Sequence, residues 1–109
     1  MTTLSLAGQL LRIPEIDGEL GSVVRVRIPA RDVALATNRP TGLSIRNVLE
    51  ARILKIEMLE PVYAEILLDV GKQRLRAEIT REAAEELGLA EGQTVYALVK
   101  SVAIDRTLL

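Results

Sequence analysis

Two runs of period-two alternation joined by one tight turn constrain this chain more than any other feature. In residues 62–70, Val62, Ala64, Ile66, Leu68 and Val70 alternate with Tyr63, Glu65 and Asp69. In 74–80, Leu75, Ala77 and Ile79 alternate with Arg74, Arg76, Glu78 and Thr80. Successive side chains of a strand point to opposite faces, so each run predicts a strand with one buried and one wet face. Gly71-Lys72 between them supplies a two-residue hairpin turn. Val24, Val26 and Ile28 alternate with Arg25 and Arg27 in the same way, and 48–57 and "TVYALVKSV" at 94–102 read as further strands.

One segment reads as helix. Thr80 is a suitable N-cap before "REAAEEL", Glu82 lies in the first turn where the helix dipole favours an acid, and Gly88 is placed to end it. The helix is expected to be an amphipathic plug of about two turns, with Ala84 and Leu87 inward. "LAEGQ" at 89–93 then turns the chain into the next strand. Three strands, a short helix and a strand over 48–102 suit a mainly antiparallel, OB-like Greek-key barrel whose helix closes one end.

Residues 1–41 read as a smaller N-terminal β lobe: a hairpin around Ala7-Gly8, a polar loop "EIDGELG", and strands in "SVVRVRI" and "DVALAT". "NRPTG" at 38–42 is the expected hinge, because Pro40 and Gly42 both break strand pairing. The barrel is then 42–109, with "DRTLL" a frayed tail. A chain of 109 residues suits one compact domain or two small lobes sharing a core.

Composition removes several function classes. With no cysteine and no histidine, disulfides, thiolate metal sites, cysteine nucleophiles and the commonest general base are all excluded. A net charge of −1 gives no basic excess to attract a polyanion, and Tyr63 and Tyr96 are the only aromatic residues. A nucleic-acid partner is therefore not expected. The carboxylates Glu57, Glu60, Glu65 and Asp69 fall on strand faces and turns, where solvated charge is the default, so no catalytic residue is assigned. Apolar runs are far shorter than the roughly 20 residues a membrane-spanning helix needs.

The chemistry concentrates in "GLSIRNVLEARI" at 42–53. In extended chain, Ser44 and Arg46 point to one side, offering a hydroxyl and a guanidinium fork to one point. Asn47 faces the other way or braces the turn. "LVKSV" repeats the theme with Lys100 and Ser101, which serve one ligand only if the strand ends or bends there, or if one gives its backbone N–H. Hydroxyl, guanidinium, ammonium and amide donors without an acceptor among the charged groups suit a small oxyanion. The same residue types also serve as turn residues and solvated charges at strand ends. Arg25 and Arg27, or Arg74 and Arg76, read as the wet faces of strands rather than as a second anion patch.

"SIRNVLEARI", with "ALVKSVAI" at the far end, resembles the Mop-type molybdate-binding domain of the TOBE group, whose usual opening is Ser-Ala-Arg-Asn. "VRVRIPARDVALATNRPTGLSIRNVL" upstream is similar to the C-terminal regulatory part of the ATP-binding subunit of molybdate ABC importers. The resemblance covers 22–104 well and 3–21 loosely. It implies that Ser44, Arg46, Asn47, Lys100 and Ser101 bind the oxyanion, molybdate or tungstate, with no metal ligand and no cofactor. Ile45 departs from the usual small residue of the motif, which bears on packing more than on the donors. The resemblance also implies a homodimer in which one chain's first pair faces its neighbour's second pair.

A regulatory domain that senses intracellular molybdate and restrains import follows from this resemblance, located in the cytoplasm and peripheral to the inner membrane through the transporter. Its partners would be nucleotide-binding domains and membrane permease subunits, with no insertion of its own into the bilayer. No G-x-x-x-x-G-K-[ST] loop occurs, and Gly71-Lys72 is followed by Gln73, so this chain is no ATPase; the nucleotide-binding part would precede residue 1 of a parent chain. The rival expectation is a purely structural dimerisation module without a ligand. Retention of both donor pairs favours ligand binding.

Overall fold

The computed structural model describes the backbone of residues 2–6, 9–13, 22–100 and 103–108, and the side chains of residues 28–100. Its strands in chain order are β1 (Thr2–Leu6), β2 (Gln9–Ile13), β3 (Ser22–Arg27), β4 (Val33–Ala36), β5 (Asn47–Leu59), β6 (Tyr63–Val70), β7 (Gln73–Thr80), β8 (Thr94–Val99) and β9 (Ala103–Leu108). A 3-10 turn, Ala30–Asp32, precedes β4, and one helix, α1 (Arg81–Glu86), separates β7 from β8. All strand pairs are antiparallel.

The main sheet has the order β4-β8-β5-β6-β7. Its edge strands β4 and β7 approach one another, and the 3-10 turn lies against β7, so the sheet curls into a half-barrel. The expected alternation fills the inside of that curl: Ala64, Ile66, Leu68 and Val70 of β6, Leu75 and Ala77 of β7, and Val95, Ala97 and Val99 of β8 are buried together. Leu49, Ala51 and Ile53 of β5 and Val33 of β4 complete the core.

β5 is longer than expected because it serves two partners. Its first half pairs with β8, from Asn47 opposite Val99 to Arg52 opposite Thr94, and its second half pairs with β6. The register shifts between Ile53 and Lys55, a bulge that bends the strand from one neighbour to the other. At the bend Ile53 N–H donates to the Gln93 carbonyl at 2.9 Å, and Gly92 N–H donates to the Ile53 carbonyl at 2.7 Å.

The local signals for turn and helix hold. Gly71 and Lys72 both have positive φ, 56° and 76°, as a type I′ hairpin turn demands. Asp69 Oδ1 fixes that turn by accepting from Lys72 N–H at 2.9 Å and from the Arg74 guanidinium at 2.8 Å. The Thr80 hydroxyl accepts from Ala83 N–H at 3.1 Å, and Gly88, at φ 63°, ends the helix with Leu89 N–H donating to the Ala84 carbonyl. Ala84 is buried as expected, but Leu87 is 38% exposed; as the C-cap residue it lies past the packed turn, and Leu89 packs on the core instead.

Four further differences from the sequence reading concern strand limits. The tail is not frayed throughout: Ala103–Leu108 pairs with β3 along its length, Ser22 opposite Leu108 and Arg27 opposite Ala103. β8 stops at Val99 rather than continuing through residue 102. Residues 42–46 are not extended strand; Gly42 takes φ 69°, and regular pairing begins only at Asn47. β4 belongs to the main sheet through β8, so hydrogen bonding crosses the hinge at 38–42. The N-terminal hairpin matches its expected position, with Leu6 opposite Gln9; Ala7, Gly8 and the loop 15–21 lie outside the described residues.

Candidate functional site

The β5/β8 register relates the two donor segments. Asn47 is directly opposite Val99, so Arg46 and Lys100 each stand one residue beyond the same strand pair, at the same end of the sheet. Ser44 and Arg46 are exposed in the irregular segment leading into β5. Asn47 is 7% exposed, the one buried polar residue among the described residues. It sits where the backbone is already paired with β8, at the base of the donor segment. Lys100 is exposed, and its backbone N–H donates to the Asp32 carbonyl at 2.8 Å. That bond ties the end of β8 to the 3-10 turn. Ser101 lies outside the described residues.

β8 ends at Val99, immediately before Lys100. The expected extended-chain geometry for Ser44 and Arg46 is not what the backbone adopts, since both precede the first strand residue, Asn47, in an irregular segment. Asp32 was not legible as part of this end of the sheet. Its role comes from a carbonyl, which any residue type supplies. Arg39 was also missed: its guanidinium carbon lies 4.8 Å from the centroid of the Tyr96 ring.

Three ion pairs lie elsewhere on the surface. Arg74 pairs with Asp69 at 2.8 Å and Arg76 with Glu65 at 3.3 Å, on the outer faces of β6 and β7. Glu60 lies 3.5 Å from Arg81. The carboxylates weighed as catalytic candidates thus lie in exposed ion pairs, with Glu57 exposed on the same sheet. A shallow cavity of about 150 Å³ lined by Lys55, Glu57, Glu65, Leu67 and Arg76 mixes both charge signs. Side chains of Arg25 and Arg27 lie outside those described. No group of acidic residues among the described residues is placed to hold a metal ion, and no helix among them is long and apolar enough to cross a membrane.

Comparison with known proteins places the chain in a family. The TOBE domain model matches residues 43–105, which begin one residue before Ser44 and run past Lys100. The chain belongs to the TOBE domain family. The molybdenum import ATP-binding protein ModC of Rhizobium johnstonii is 41% identical over 105 residues, 96% of this TOBE chain and 30% of that protein. ModC of Aromatoleum aromaticum is 43% identical over 106 residues, 97% of the chain and 28% of that protein. The TOBE chain thus spans under a third of the length of these relatives.

Among solved structures, the cytoplasmic molybdate-binding protein ModG with molybdate bound superposes with a TM-score of 0.68 at 31% identity, covering 79% of this chain and 62% of that one. A molybdate-binding protein from Sporomusa ovata gives a TM-score of 0.52 at 38% identity, covering 55% of this chain and 88% of that one. The fold is the mostly antiparallel, OB-like barrel of these neighbours, with one short helix. Both of these neighbours are binding proteins, and the family match of this chain is to a TOBE domain and not to a catalytic one.

Proposed function

We propose that this TOBE domain binds molybdate, or the similar tungstate, as the regulatory part of a molybdate importer ATPase. The observation that carries the reading is the register that brings Arg46 and Lys100 to one end of the β5/β8 pair, in a TOBE domain whose structural neighbours bind molybdate. Ser44, Arg46, Lys100 and Ser101 donate to the oxyanion, and Asn47 holds the base of the donor segment. Residues 42–109 form the binding barrel, and residues 1–41 form the lobe whose β4 completes its sheet.

The site is completed by a second copy of the chain. Ser44, Arg46 and Lys100 are exposed, and ion pairs left open to water are worth at most about 1 kcal/mol. A homodimer that covers this end desolvates the anion and lets charge-assisted hydrogen bonds reach about 1.5–3 kcal/mol each. Two cations about 4 Å apart at an effective dielectric of 20 repel by about 4 kcal/mol, and an anion between them reverses that sign. Size, rather than charge, then separates molybdate from sulfate.

In the parent protein, attached to nucleotide-binding domains and through them to the permease subunits at the cytoplasmic side of the membrane, binding restrains transport by linkage. Anion at about 100 times its dissociation constant stabilises the bound arrangement by about 2.7 kcal/mol. A nearly balanced equilibrium then shifts by about a hundredfold, enough to hold the nucleotide-binding domains apart when molybdate is plentiful.

Substitution tests the assignment. Arg46→Ala and Lys100→Ala are each expected to weaken molybdate binding by at least about tenfold, the equivalent of one charge-assisted hydrogen bond, while leaving the ligand-free dimer intact. Unchanged affinity in both variants would place the site elsewhere. A folded dimer with no affinity in the wild-type chain would leave a structural dimerisation module.

A further inference from the structure

The segment that carries Ser44 and Arg46 has an unusual route. β4 and β5 flank β8 on opposite sides and run parallel to each other, both antiparallel to β8. β4 ends at Ala36, level with Tyr96, whereas β5 begins at Asn47, level with Val99. Residues 37–46 must therefore cross β8 and also run back along it by three residues, about 10 Å. The inner face is closed to them, because Val95, Ala97 and Val99 fill it in the core. Tyr96 alternates with these residues and so lies on the outer face, where the Arg39 guanidinium stacks on its ring at 4.8 Å.

That stack occurs near the start of the crossover. No strand pairing holds 37–46, and Gly42 adopts φ 69° with open space around the position of a Cβ. Pro40 restricts Arg39 to extended backbone and fixes its own φ, so a side chain pinned at residue 39 fixes the direction in which the chain leaves. Asn47 fixes the other end. Ser44 and Arg46 lie between these two anchors.

We propose that Arg39 is a positioning residue for the oxyanion site, acting through the face of Tyr96 to hold the crossover that presents Ser44 and Arg46. The inference rests on the reading above that these two residues bind an oxyanion. Arg39 does not touch the anion; its charge is spent on the ring. Loss of the stack lets the donor segment lift from the sheet, so the anion must then order a looser loop.

The test uses the 109-residue chain as wild type, Arg39→Gln, Tyr96→Leu, Tyr96→Phe and the Arg39→Gln/Tyr96→Leu double variant. Each is titrated with sodium molybdate by calorimetry, and amide hydrogen exchange is followed without molybdate in residues 41–46 and at Ile66 in the core. Arg39→Gln and Tyr96→Leu are each expected to speed exchange in 41–46, to leave Ile66 protected, and to weaken binding about two- to fivefold, the range of one cation–π contact at an exposed site. Tyr96→Phe keeps the ring face and is expected to match wild type, and the double variant should be no weaker than the weaker single.

Unchanged exchange in both single variants overturns the proposal. Weakened binding in Arg39→Gln with wild-type binding in Tyr96→Leu also overturns it, by making Arg39 a direct charge on the anion. Absence of binding by the wild-type chain overturns the site reading itself. Exchange in 41–46 then still decides whether the clamp exists.

Discussion

Arg46 and Asn47 are adjacent in sequence yet have opposite surroundings, and their substitutions should separate accordingly. Arg46 is exposed and free of a strand, whereas Asn47 is buried at the first paired position of β5. Asn47→Ala removes a buried polar group from a partnered site and is expected to destabilise the ligand-free fold by about 1–3 kcal/mol, read by urea denaturation. Ser44→Ala is expected to leave that stability within about 0.5 kcal/mol, as for other surface changes. Gly42→Ala meets no atom but must hold φ near 69°, and is expected to cost about 1–2 kcal/mol, with Gly42→Asn recovering much of it. The donor types at these positions were legible because they follow from side-chain chemistry. The bend in the segment that carries them was not, since it depends on a crossover whose two ends pair with a strand about 50 to 60 residues away.

At the scale of elements, local signals were read correctly where the cause is local. The Thr80 cap, the Gly71-Lys72 turn and the alternation of β6 and β7 all involve residues within a few positions of one another. Thr80→Ala is expected to cost about 1 kcal/mol, with the loss seen first as faster exchange in α1. Reading failed where pairing is long-range: β9 forms because β3, some eighty residues earlier, offers it a partner, with Arg25 opposite Asp105 in register. The sequence "AIDRTLL" has no clean apolar face of its own to announce this. Ending the chain at residue 102 leaves β3 without that partner. Exchange in 22–27 should then rise while Ile66 stays protected; loss of protection at Ile66 as well would show that the two sheets unfold as one unit.

For the whole molecule, stability and binding draw on the same sheet. The core side chains of β5 and β8 face inward from the very strands whose ends carry Arg46 and Lys100. Ile66→Ala opens a cavity at a fully buried position and is expected to destabilise by about 2–5 kcal/mol. Saturating molybdate should recover part of that loss, since a ligand that binds only the folded state stabilises it by mass action. The most direct measurement is calorimetric titration of the wild-type chain with molybdate, with sulfate as control, after light scattering has given its mass in solution. The account predicts a dimer that binds molybdate saturably at a fixed anion-to-dimer ratio and gives little heat with sulfate. A folded dimer that shows no saturable molybdate heat would contradict it.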